Sequence, residues 1–181
     1  MTTTLFTNAH IATGEPGSTA ASTLPLQDIL VTDGVFTAFG PGLAQQYEAQ
    51  GGDLAAIEVV DLGGKLVCPP FCDTHLHLDY VFTARKPGAV NESGTLFEGI
   101  QRWSETKSDL TVDEIKQRAK IGIKKEMLHG VQLIRSHADV TDPNLTSLKA
   151  LLELKEELKD TVTLQIVSFP QEGMYLSLIH I

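Results

Sequence analysis

From Val67 onward the sequence alternates strand-like and helix-like runs, and this alternation constrains the fold more than any other feature. A first run leads into Cys72-Asp73-Thr74-His75, and a long connection follows from Asp79 to Ser93. Thr95 and Glu98 then have the spacing of a capping box, with Glu98 placed to reach back to free N–H groups. Leu96, Ile100 and Trp103 fall on one helical face. Thr111 and Glu114 repeat that logic before Val112, Ile115, Ala119, Ile123 and Met127, and Gly130 is a fitting stop. Val131–Val140 reads as a strand. Asp142-Pro143 is expected to open the next helix, since proline suits a first turn. Leu145, Leu148, Leu152 and Leu158 are its expected buried stripe, and Lys155, Glu156, Glu157 and Lys159 its wet side. Val162–Phe169 is a third strand. Strand, helices, strand, helix, strand implies an α/β chain with a parallel sheet. Right-handed crossovers make that sheet either doubly wound or the opening of a barrel.

The first 66 residues have a different texture, rich in strands and turns. Thr4–His10 is a short strand candidate, and Asp28–Thr32 and Val35–Phe39 flank Asp33-Gly34, a strong hairpin signal. Ile57–Asp61 and Leu66–Cys68 flank a second turn signal at Gly63-Gly64. Gly14–Ser22 and Pro41–Gly52 read as loops. The expected division is therefore an all-β segment over residues 1–66 and an α/β segment over 67–175.

The net charge of −9 argues against a nucleic-acid surface and against an anionic membrane partner. No apolar run approaches the ~20 residues of a membrane helix. Met1–Leu5 lacks the basic and apolar regions of a secretory signal, so the expected compartment is the cytoplasm. Cys68 and Cys72 form a lone C-x-x-x-C pair, which reads as incidental thiols before a zinc site.

The polar residues that do not fit a plain scaffold gather on one rim. His75 and His77 lie at the end of the first strand, His137 and Asp139 near the end of the second, and Gln171 just beyond the third. In α/β barrels this rim is the catalytic face, because loops from different strands converge there. Residues two apart on a strand point the same way, so His75 and His77 suit one metal ion held in cis. Partly exposed or hydrogen-bonded histidines are the plainer alternative. His137 reads more simply as a core histidine than as a ligand. Asp79 and Asp139 either orient a metal-bound histidine or bond local backbone.

Pro69-Pro70-Phe71-Cys72-Asp73-Thr74-His75-Leu76-His77-Leu78-Asp79 resembles the signature at the end of the first barrel strand in the amidohydrolase superfamily. Asn91–Trp103, Arg135–Val140 and Leu164–Gly173 are similar to the cytosine deaminase branch of it. The resemblance implies a partial (β/α)₈ TIM barrel, here its first two to three strands, preceded by the N-terminal part of a small β-sandwich. It implies His75 and His77 as ligands of one divalent metal ion, iron or zinc. It implies Gln171 and Leu96 as substrate-binding residues, with Gly94–Leu96 lining the pocket, and cytosine or a related ring as substrate. A full-length relative is expected to be a homo-oligomer. The family carries its remaining ligands and its proton-shuttling glutamate on later strands, so no catalytic acid or base is assigned here. The expectation is an N-terminal fragment, inactive alone. Its rivals are a related amidohydrolase acting on another amino-substituted ring such as a triazine, and a non-catalytic metal-binding or unfolded fragment. Leu176-Ser177-Leu178-Ile179-His180-Ile181 departs from the family pattern and matches one frame of a transposase sequencing adapter, so residues 176–181 are expected to be a non-native tail. The alternative is a genuine divergent C-terminus.

Overall fold

The computed structural model describes residues 2–12 and 25–173. The loop expected at Gly14–Ser22 and the tail expected at Leu176–Ile181 lie outside the described residues. Two units, Met1–Pro69 and Pro70–Ile181, each carry a sheet.

In the first unit β1 (Thr3–Ile11) pairs antiparallel with β2 (Gln27–Thr32), which pairs antiparallel with β3 (Val35–Gly40). Asp33 and Gly34 join β2 to β3 with φ of 49° and 78°. That turn twists in the same sense as its strands, and its positive φ favours a residue without a Cβ at Gly34. After them, a short helix α1 (Leu43–Ala49) corrects the reading of Pro41–Gly52 as a loop. Its cap comes from a distant element: the buried carboxylate of Asp28 accepts from Leu43 N at 2.9 Å and from Asn8 N at 3.1 Å. Gly42, at the helix start, offers no side-chain cap, so the local sequence carried no signal. Strands β4 (Glu58–Asp61) and β5 (Leu66–Val67) both run parallel to β1. The Gly63-Gly64 turn therefore moves the chain along one neighbour and does not close a hairpin.

In the second unit β6 (Phe71–Leu76), β7 (Val131–Asp139) and β8 (Thr163–Phe169) form a parallel sheet in that order. Helices α2 (Leu96–Lys107) and α3 (Val112–Leu128) connect β6 to β7, and α4 (Thr146–Glu157) connects β7 to β8. The α/β alternation expected from the sequence is present. Around α3 the local rules agree with one another. Thr111 Oγ1 accepts from Glu114 N, Glu114 accepts from Thr111 N, and Ile115, Ala119, Gly122 and Ile123 are buried. At α2 only half of the box forms. Thr95 caps Glu98 N, but the Glu98 carboxylate passes the cap and accepts from Ser93 N at 2.6 Å and Glu92 N at 3.1 Å. It secures the loop before the helix instead.

Helix α4 departs from expectation. Asp142 accepts from Asn144 N and Thr146 N, so Asp142-Pro143 forms a turn and the helix starts at Thr146. Its buried residues are Ser147, Ala150, Leu151 and Leu154, while Leu145 and Leu152 are 37% and 49% exposed. Small residues at 147 and 150 occupy the buried face, so the spacing of the leucines alone does not mark it. Leu78, Ile115, Ile123, Ile134, Leu151 and Leu154 make the centre of the core. Burying each such side chain contributes about 1.5–3 kcal/mol.

Candidate active site

The C-terminal ends of β6, β7 and β8 bring together side chains far apart in sequence. His75 lies near the end of β6 and His77 just past it. The β6–β7 register shifts between Asp73 and Leu76, and Asp73 Oδ1 accepts from His75 N at 2.9 Å. The His75 and His77 ring centroids are 5.4 Å apart. His137, on β7, stacks on His75 at 4.1 Å and lies 5.6 Å from His77. Phe169, at the end of β8, meets His77 edge-on at 5.2 Å.

A cavity of about 730 Å³ opens beside these rings. His75, His77, Tyr80, Leu96, Trp103 and Gln171 line it, and so do Gly94 and Thr95. His75, His77, Gln171 and Leu96, the site residues named from the sequence, therefore share one cavity. His137 is not in its lining, and its Nδ1 is buried without a hydrogen-bond partner. Leu96 is 74% exposed, so the face it was expected to share with Trp103 splits in two. Trp103 is buried in the core and meets Tyr80 at 5.0 Å.

Burial, then proximity to His75 and His137, lowers the pKa of His77. Burial, then His75, does the same to His137. Both effects favour neutral imidazole, the form that binds a metal. Two imidazoles on one wall fit part of a metal centre. Among the described residues no group of three or more His, Cys, Asp or Glu is arranged to hold an ion. Cys68 and Cys72 are free and exposed.

Behind the rings lies a second polar group, joined by contacts distant in sequence. Asp79 is fully buried; its Oδ2 accepts from Asp139 N at 2.9 Å and its Oδ1 from Tyr80 N at 3.1 Å. Burial pushes its carboxyl up to about 6. Asp139 accepts from Trp103 Nε1 at 2.7 Å, from Thr141 N and Oγ1, and from Lys107 Nζ at 3.2 Å. Burial alone would raise its pKa, but the Thr141 bonds, the indole and the lysine charge together hold it below the usual value. Lys107 Nζ also donates to Thr141 Oγ1 at 2.6 Å and to Glu172 Oε1 at 2.7 Å. Neither Lys107 nor Glu172 belongs to a local motif in the sequence. The available clue was that Lys107 follows Trp103 by one helical turn.

The amidohydrolase family model matches residues 58–177. The chain is similar to the 5-methylcytosine deaminase of Klebsiella pneumoniae, solved with 5-fluorocytosine: 39% identity and a TM-score of 0.77, covering 94% of this chain and 37% of that one. It is 35% identical over 123 residues to the N-isopropylammelide isopropyl amidohydrolase of Pseudomonas sp. strain ADP, covering 66% of this chain and 30% of the relative. It is 27% identical over 152 residues to the pterin deaminase of Rhizobium rhizogenes strain K84, covering 81% and 32%. The chain thus spans about a third of the length of these relatives.

Proposed function

The chain belongs to the amidohydrolase family, its parallel strands matching the opening of that family's barrel, and we propose that it serves the hydrolytic deamination of cytosine or a close pyrimidine. Family members are metal-dependent hydrolases that act on C–N bonds of cyclic substrates. In the reaction, water adds at C4, the bond to the exocyclic nitrogen breaks, and ammonia leaves a ring carbonyl behind. His75 and His77 are read as two ligands of one divalent ion, iron or zinc. Such an ion, when bound, supplies acidified water near neutral pH. Gln171 is read as the group that grips the ring edge, since its amide offers an acceptor and two donors to ring N–H and C=O groups. Leu96, beside Gly94 and Thr95, supplies an apolar wall. The proton shuttle is not assigned to any residue of this chain.

In the same reading the five-stranded sheet is the N-terminal part of a small β-sandwich, and the full-length enzyme is cytoplasmic and homo-oligomeric. The support for the sandwich and the homo-oligomer is the family resemblance. No helix among the described residues is long and apolar enough to cross a membrane.

The observation that carries the proposal is that Gln171 lines the same cavity as His75 and His77. In the full-length enzyme carrying this segment, Gln171→Ala should lower kcat/KM for cytosine about tenfold to a hundredfold. Metal content should stay unchanged. Intact turnover, or loss of the metal, would refute the assignment of Gln171. The 35% identity to the N-isopropylammelide enzyme favours a second reading, a triazine bearing an amino or alkylamino group. Assaying that ring beside cytosine separates the two.

A further inference from the structure

The turn that carries Gln171 is held from one side. Gly173 N donates to Pro170 O at 3.0 Å, which closes a four-residue turn with Gln171 and Glu172 at its corners. Gln171 lines the cavity, while the neighbouring Glu172 carboxylate accepts from Lys107 Nζ and Ser104 Oγ, both on α2. Lys107 is nearly buried, its side chain 12% exposed. Its three ammonium protons meet three acceptors, on Asp139, Thr141 and Glu172. Asp139 also takes the indole N–H of Trp103, a cavity-lining residue one turn earlier on α2. One cation therefore joins the end of α2, the end of β7 and the turn beyond β8.

We propose that Lys107 is a positioning residue: by holding Glu172 against α2 and the end of β7, it fixes the 170–173 turn and so aims the Gln171 amide into the cavity. The inference rests on the substrate role proposed above for Gln171. Apolar packing would hold these elements together as well as a buried ion pair does. What the ion adds is direction, because each bond fixes an angle as well as a distance. A turn released on one side lets the amide drift, and misplacement of about 1 Å costs on the order of a hundredfold in rate.

The test is a double-variant cycle in the full-length enzyme that carries this segment, with cytosine as substrate and metal content measured in every variant. Lys107→Met and Glu172→Gln should each lower kcat/KM about tenfold or more, mostly through KM, with metal retained. Placed on Gln171→Ala, neither should cost more than about a further twofold, because the group being positioned is already gone. A merely structural lysine would multiply its loss onto that of Gln171→Ala. That outcome overturns the positioning role while Gln171 keeps its own. Harmless Lys107→Met and Glu172→Gln overturn it as well. A harmless Gln171→Ala removes the substrate role itself, and the inference falls with it. Should Lys107→Met fail to fold, Glu172→Gln carries the same cycle with a smaller change.

Discussion

The polar groups at the ends of β6, β7 and β8 are of two kinds. On one side His75, His77 and His137 lie ring against ring, and His137 Nδ1 is buried without a partner. On the other side Asp79, Asp139, Thr141, Lys107 and Glu172 satisfy one another, with backbone amides and the Trp103 indole completing the set. Both clusters cost desolvation. Only the second repays most of that cost within itself; the exception is Asp79, whose carboxyl is still pushed up to about 6 by burial. A polar cluster that closes its own valences is scaffold, whereas one left open has room for a group from outside. The imidazoles suit chemistry, and the carboxylate–lysine network suits holding the walls around it.

The largest expected effect breaks the open side. His75→Ala or His77→Ala in the full-length enzyme should remove the bound ion and take turnover below detection. Metal-to-protein ratio by atomic absorption checks this directly. Full metal occupancy in either variant would remove that histidine from the ligand set.

A smaller effect is expected on the closed side, and it should appear in stability. Asp139 is 2% exposed and anchors both Trp103 and Lys107. Asp139→Ala leaves a nearly buried cation short of a counter-charge and an indole N–H without an acceptor, a loss of about 3 kcal/mol. Urea unfolding of the 181-residue chain, followed by the fluorescence of Trp103, its sole tryptophan, reads this unit. A loss below about 1 kcal/mol, the worth of one ordinary hydrogen bond, would show that Lys107 is sustained by Glu172 and Thr141 without Asp139.

The two clusters were not equally legible in the sequence. His75-x-His77 is a local pattern on a strand end, and the caps at Thr95 and Thr111 are local too, so the alternation and the rim follow from short windows. The closed network is made of long-range pairs: Lys107 meets Glu172 across 65 residues, and Trp103 meets Asp139 across 36. Apart from Trp103 one turn earlier, nothing near Lys107 sets it apart from Lys116, whose partners are Glu153 and Glu157 at the surface of α4. The same limit hid α1, capped by Asp28 from fifteen residues away. For Asp79 and Asp139 the local sequence fits both orienting a histidine and bonding backbone. The bonds found are to backbone amides and to the network behind the rings.

Glu98 carries the comparison to the rim, where closed valences meet water. Its carboxyl is held down at about 2, first by Ser93, through side chain and amide, then by the Glu92 amide, with a smaller contribution from Arg102. A depressed carboxyl stabilises what it binds above its ordinary value and loses that contribution as pH falls through the folded value. The 92–93 loop should therefore keep its bonds at neutral pH and release them only toward about pH 2. Glu98→Gln keeps an acceptor but drops the charge, and charge-assisted bonds are the stronger kind. Amide exchange at Glu92 and Ser93 should be severalfold faster in Glu98→Gln above pH 4 and converge with the parent as the acid limit is approached. The capping box at Thr111 serves as the unchanged reference. Equal exchange at all pH values would mean that the loop is ordered by Asn91, which donates to Thr95 O and accepts from Gly94 N, with no help from Glu98. Solvent screening makes this the smallest of the effects. It is also the one that separates closure of valences from burial, since here the bonds are complete while water stays close.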